Sequence, residues 1–282
     1  MAVPHPIPYQ GSKRRLASAI LAEAPKTIDR LIEPFAGSAA ITLAAATNGI
    51  ARQYLLGDSL PSLVEIWNAV LRDPKGLADA YEHVWRGQLA NPSRHYLRVR
   101  VEFNRAREKN PAQLLYLLAR CTKNSVRFNR AGEFNQSADP RRLGMSPAKM
   151  RANIIQAHRV LRGRTETVCA DYEAALEQAT NQDLVYLDPP YQGVSGRNPR
   201  YFQQLDFPRL VKNLRQLNSR NVPFILSFDG KCGTKEYGHK LPRDLKLTHI
   251  LLPAGRSAQA TLNGHEDETT ESIYLSTALS HC

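Results

Sequence analysis

Asp188-Pro189-Pro190-Tyr191 sets a carboxylate, two rigid residues and an aromatic ring directly after the apolar run Leu184-Val185-Tyr186-Leu187. The prolines fix the backbone and remove two N–H donors, so the segment offers acceptors: its carbonyl oxygens and the Asp188 carboxylate. Acceptors aimed at both N–H bonds of a ring amino group would draw its delocalised nitrogen toward tetrahedral geometry, as attack on an electrophile requires. Tyr191 would give the ring an aromatic face to stack on. The plain alternative is a Pro-Pro turn followed by a chance tyrosine.

Two further segments carry nucleotide-like chemistry. Glu33-Pro34-Phe35-Ala36-Gly37-Ser38-Ala39 reads as strand, tight turn and helix, the arrangement that brings backbone close to a ligand. Asp58 follows Gly37 at roughly 20 residues, the interval at which dinucleotide folds place an acid on ribose hydroxyls. With Asp58, the turn favours an adenosyl ligand over a phosphate-heavy one; alone, it reads equally as a structural turn. Tyr9-Gln10-Gly11-Ser12-Lys13 suits a tight turn whose lysine reaches a carboxylate, or else a solvated basic loop.

These loops need a scaffold. Runs at Leu31-Ile32-Glu33, Gln53 to Leu56, Thr167 to Ala170, Leu184 to Leu187 and Pro223 to Phe228 read as strands. They alternate with helical patterns at Arg14 to Ala24, Ser38 to Asn48 and Phe207 to Ser219, which predicts βαβ units on a parallel α/β sheet. Leu247 to Leu252 and Ser272 to Ser276 are joined by the polar stretch Pro253 to Thr270, with no crossover helix, and predict an antiparallel edge. Within that stretch, Gly255 to Ala260 reads equally as a nucleic-acid contact through Arg256 or as an ordinary hairpin loop. Residues 74–164 lack strand signals and are rich in Arg, Lys and Asn. They predict an inserted, mainly helical domain containing helices Ala112 to Arg120 and Pro147 to Leu161, the latter with Ser146 as N-cap. Residues 1–73 and 165–282 then form the catalytic domain.

The 282-residue chain is 42% apolar, enough for a substantial core, and its formal charge of +12 points to an acidic polymer as partner. Cys121, Cys169, Cys232 and Cys282 form no CxxC pair and the histidines no ligand spacing, which argues against a metal site or disulfide framework. No leader or membrane-spanning run is evident, so a reducing cytoplasm is the expected compartment.

In this order, the motifs resemble those of the Dam-like, D12 class of adenine-specific DNA methyltransferases over nearly the whole chain. Tyr9 to Lys13 is similar to an aromatic-x-G-G-K segment, with Ser12 for the second glycine. Glu33 to Ala39 is similar to E-P-F-x-G-x-G, with Ala39 for the last glycine, and Asp188 to Tyr191 matches D-P-P-Y. The resemblance implies a Rossmann-like methyltransferase sheet in which Tyr9, Lys13, Glu33, Phe35, Gly37, Asp58, Asp171 and Tyr172 surround S-adenosylmethionine. Asp188 would be shared between cofactor and target base, beside Pro189, Pro190 and Tyr191. Residues 124–135 resemble an R-[YF]-N-x-x-G-x-F-N recognition hairpin. Asn124, Arg127, Asn129, Arg130 and Asn135 are its candidate DNA contacts, with Arg141 and Arg142 suited to phosphates. Gln136 to Asp139 departs from the family's continuation, so no target sequence is transferred. The expected protein is a monomer near the nucleoid, acting on duplex DNA, alone or with a cognate restriction endonuclease. Methylation of RNA adenine or a protein amide, and a catalytically silent DNA-binding protein, are the alternatives.

Overall fold

The computed structural model describes residues 2–129, 131–190, 205–232, 235–237, 240–256 and 268–279. Its centre is a sheet of β1 (Ile28–Glu33), β2 (Ala51–Asp58), β3 (Thr165–Cys169), β4 (Leu184–Leu187), β5 (Phe224–Cys232), β6 (Lys235–Tyr237), β7 (Thr248–Arg256) and β8 (Glu268–Leu275). The order is β3-β2-β1-β4-β5-β8-β7, with β6 pairing off β5. Strands β1 to β5 run parallel, whereas β8 runs antiparallel to both β5 and β7. Strands β7 and β8 thus extend at both ends into the stretch read as loop. Residues 257–260 of the Gly255 to Ala260 segment lie outside the described residues.

Strict alternation explains why the strand sequences look apolar throughout. Leu31, Tyr54, Leu56, Leu184 and Tyr186 enter one core, while Ile32, Leu55, Val185 and Leu187 enter the other. Successive side chains point to opposite faces, so a strand buried on both sides has no polar face to show. Helices α8 (Tyr172–Glu177) and α9 (Phe207–Ser219) cover the second face. The first is covered by α1 (Ala17–Ala22), α2 (Ala40–Asn48) and α3 (Pro61–Arg72). The helix read over Arg14 to Ala24 is shorter than expected, because Lys13–Arg15 form a 3₁₀ turn before α1 begins.

Residues 74–164 fold as α4 (Pro74–Arg86), α5 (Pro92–Arg105), α6 (Pro111–Arg120) and α7 (Pro147–Leu161). Each opens with proline at its first position, where the missing N–H has no helical acceptor to lose. Asp73, Asn91 and Asn110 cap α4, α5 and α6 through their side chains. Ser146 occupies the N-cap position of α7, but its hydroxyl makes no capping bond. Tyr81, Tyr96, Leu115 and Ile154 from these helices share one core with α2, α3 and the sheet.

Between β1 and β4 the strand order reverses, and ligands bind open α/β sheets beyond the carboxyl ends of strands at such a reversal. Glu33 ends β1, Asp58 ends β2 and Asp188 follows β4, so three candidate residues arrive at one edge. The turn after β1 lies hard against β2: Ala36 N–H donates to the Gly57 carbonyl at 2.8 Å. A Cβ on Gly57 would stand 3.2 Å from Pro34 Cα and 3.3 Å from Val168 Cγ1. Gly57→Ala is therefore expected to destabilise the fold by about 1–3 kcal/mol through overpacking. Urea denaturation tests this, and an unchanged midpoint would mean that the turn yields freely.

Candidate active site

Lys13 stands at the middle of the reversal. Its ammonium lies 3.0 Å from Asp188 Oδ1 and 3.9 Å from Glu271 Oε2, with only 4% of the side chain exposed. Burial alone would lower its pKa, but the two carboxylates outweigh that and hold it above its ordinary value, so the ammonium stays charged. Burial raises the Asp188 carboxyl and the Lys13 charge opposes the rise. The Asp188 side chain remains 21% exposed. Pro189 is buried and Pro190 half-buried, while Tyr191 lies outside the described residues. Behind Asp188, the Tyr186 hydroxyl is 2.8 Å from Ser227 Oγ, joining β4 to β5 beneath the site.

The turn after β1 is gripped from several sides. Asp58 Oδ2 accepts from Gly37 N–H at 3.0 Å and Oδ1 from Leu60 N–H at 2.9 Å. Trp67 Nε1 on α3 donates to the Gly37 carbonyl at 3.1 Å, and Ser38 Oγ donates to Ser12 Oγ at 3.0 Å. Gly37 has φ +47°, and an added Cβ would sit 3.1 Å from the Tyr9 ring, so both conformation and space call for glycine here. Ala39, in place of a glycine, keeps the left-handed conformation at φ 49° just before α2. The turn shape thus survives the substitution, at a cost in strain of about 1–2 kcal/mol.

Glu33 is 3% exposed, and its carboxylate accepts from Thr42 N–H at 3.0 Å in the first turn of α2. Burial pushes its pKa up to about 7, against the lowering effect of the helix amides. Phe35 stacks on Tyr172 with ring centroids 5.0 Å apart. Asp171 caps α8 through Glu173 N–H at 3.2 Å and pairs with Arg209 at 3.2 Å. The structure therefore gathers Tyr9, Lys13, Glu33, Phe35, Gly37, Asp58, Asp171, Tyr172 and Asp188 around the carboxyl ends of β1 to β4. Trp67, Glu271 and the Ser12–Ser38 contact complete the site without having been read from the sequence. A tryptophan on an amphipathic helix resembles core, and Glu271 reaches Lys13 only because β8 lies beside β5.

The candidate contact residues of the middle segment form an irregular hairpin. Phe128 bridges Phe134, Asn129 N–H donates to the Glu133 carbonyl at 2.8 Å, and Asn135 N–H to the Arg127 carbonyl at 3.1 Å. Asn129 Oδ1 accepts from Ala131 and Glu133 N–H, closing the turn. Asn124 donates its amide to the Leu118 and Ala119 carbonyls, and its own carbonyl accepts from Gln10 N–H at 2.9 Å. Arg127 Nε is buried and without a hydrogen-bond partner among the described residues. Asn135 is exposed, Arg141 and Arg142 both pair with Asp139, and Arg130 lies outside the described residues. Helix α5 anchors the return strand: Asn104 donates to the Phe134 carbonyl at 3.0 Å and accepts from its N–H at 2.9 Å. Tyr96 donates to the Gln136 carbonyl at 2.8 Å.

Two measurements follow. A carboxyl raised from its ordinary value of 4.5 to about 7 in the folded state binds protons there more tightly than when unfolded. Its stabilisation is full below pH 4.5 and is lost as pH rises through 7, by about 3 kcal/mol. Glu33→Gln should remove that slope: the wild-type minus variant difference in unfolding free energy should fall between pH 5 and 8, and a constant difference would contradict the assignment. Asn104→Ala should cost about 1–3 kcal/mol, because it strands both polar groups of Phe134. Chemical denaturation checks this, with an effect below about 0.5 kcal/mol counting against the anchor.

The family described as D12 class N6 adenine-specific DNA methyltransferase matches residues 9–256. The Retron Ec67 DNA adenine methylase of Escherichia coli is 27% identical over 271 residues, covering 93% of this chain and 88% of that protein. The DNA adenine methylase of Haemophilus influenzae is 27% identical over 240 residues, covering 81% and 80%. The DNA N-6-adenine-methyltransferase of Escherichia phage P1 is 27% identical over 219 residues; the alignment takes in 74% of this chain but 28% of that longer protein. With the site at the sheet reversal and the match spanning it, the chain belongs to the D12 class of N6 adenine-specific DNA methyltransferases.

Proposed function

We propose that the protein transfers a methyl group from S-adenosylmethionine to the N6 nitrogen of an adenine rotated out of duplex DNA, at one recognition sequence. The observation that carries this reading is Asp188: a carboxylate held by a buried ammonium, partly exposed, at the strand-order reversal and next to the Gly37 turn. The residues present fit the cofactor. Asp58 can accept from ribose hydroxyls beside its backbone amides, and the Phe35–Tyr172 pair and the Tyr9 ring over Gly37 offer aromatic walls. S-adenosylmethionine, when bound, supplies a sulfonium methyl group as electrophile.

The chain's own part is to prepare the nitrogen. Asp188 and the Pro189 carbonyl accept from the two N–H bonds of the amino group, which localises the lone pair and aims it. Lys13 keeps Asp188 ionised and fixed, and Tyr191 stacks on the base. Extrusion of the base is required because in the duplex its amino group is paired and its faces are covered by stacked neighbours, so the methyl donor cannot approach the nitrogen lone pair in line. The helical segment 74–164 presents the hairpin to DNA, with Asn135 exposed on it and Arg127 half-buried at its base.

DNA from a methylation-free bacterial host expressing the protein should carry N6-methyladenine at one discrete sequence. With Asp188→Ala the mark should disappear while the variant still folds. No mark from folded wild type would turn the reading toward RNA or protein amides, and a persistent mark in the variant would remove Asp188 from the chemistry.

A further inference from the structure

At the opposite edge of the sheet lies a cleft of about 590 Å³ between the end of α3, the start of α4 and the end of α7. Helix α3 starts just after the carboxyl end of β2 and carries Arg72 roughly 18 Å back along the sheet. Helix α7 ends just before Thr165 opens β3, so the cleft sits at the amino ends of the strands, away from Asp188. The lining includes Arg72, Lys75, His158, Arg159 and Arg162, with Asp73 as its one carboxylate. Asp73 caps α4, its Oδ1 accepting from Gly76 N–H at 2.9 Å. The His158 ring bonds through Nδ1 to the Val70 carbonyl at 3.0 Å, fixing the wall between α3 and α7.

None of the four permanent cations has an ion-pair partner among the described residues, although several exposed arginines elsewhere have one. Arg86 and Arg215 have Glu82 and Asp244, and Arg151, two turns earlier on α7, has Asp79 and Glu82. Like charges gathered in a concave surface repel and focus their field on the space between them, which favours a multivalent anion. The spacing suits it too: Arg72 and Lys75 stand on one wall, Arg159 and Arg162 one helical turn apart on the other.

We propose that this cleft is a second anion site, separate from the one around Asp188, that takes closely spaced phosphates. A stretch of DNA backbone and a free polyphosphate present the same chemistry. The test titrates full-length wild type and Arg159→Gln/Arg162→Gln with inorganic tripolyphosphate, and with a short duplex across a salt series. Arg105→Gln/Arg107→Gln, two exposed arginines at the end of α5, serves as control. Tripolyphosphate affinity should fall at least tenfold in the cleft variant and stay unchanged in the control, with the thermal midpoint preserved. A backbone ligand should also lower the slope of log K against log salt by about 2, at roughly 0.9 per phosphate contact. Tripolyphosphate binding lost with that slope unchanged points to a free polyphosphate instead. Equal losses in cleft variant and control, or no change with either probe, would overturn the proposal.

Discussion

The ion pair of Lys13 with Asp188 is the contact on which the site depends. A buried ammonium without carboxylates would shed its proton, and a buried carboxylate without a cation would take one up. Each favours the charged form of the other against the cost of burial, and Glu271 adds a second acid at 3.9 Å. The pair also crosses 175 positions of sequence, tying the loop of Tyr9 to Lys13 to the end of β4. Since neither the loop nor the Pro-Pro segment is part of the sheet ladder, this bond supplies the registration that backbone pairing cannot.

The same short loop links two regions that would otherwise be independent. Tyr9 lies over Gly37, Ser12 accepts from Ser38, Gln10 donates to Asn124 at the base of the hairpin, and Lys13 holds Asp188. Four of five consecutive residues thus contact the turn after β1, the segment after β4 and the hairpin. The shared core of α4 to α7 with α2 and α3 makes these contacts stiff, because the hairpin is pinned to α5 and α5 packs within that core. A shift at the hairpin therefore has a short, hydrogen-bonded route to the turn and to Asp188.

Much of this was readable from residue types. Strands that are apolar throughout announce a sheet covered on both faces, and α7 and α9 were delimited from pattern and proline position alone. Asp73-Pro74, Asn91-Pro92 and Asn110-Pro111 carry the same cap-then-proline signal: it marks the starts of α4 and α5, which composition alone does not delimit, and of α6, whose pattern is legible from Ala112. Other features have no local signature. Glu271 acquires its role from β8 lying between β5 and β7, and Trp67 from the direction of α3; both are set by topology. The amide of Asn124, whose residue type suggests base reading, is taken by carbonyls at the end of α6, because a helix terminus leaves acceptors that the nearest donor fills.

The charge distribution resolves an apparent conflict between exterior and site. The chain carries a formal charge of +12, yet the described site holds Glu33, Asp58, Asp188 and Glu271 against the single ammonium of Lys13. A basic exterior draws in a polyanion over distances of about 10 Å in ordinary salt. An acidic interior, shielded within the sheet edge, repels phosphate but accepts a cation or a neutral ring. On the proposed reading, the backbone of the DNA is kept on the rim, while a neutral adenine and a cationic sulfonium are the species that the interior favours. Burial raises the Glu33 carboxyl, which limits the excess, while Asp58 and Asp188 are the acids that this reading assigns to the ribose and to the amino group.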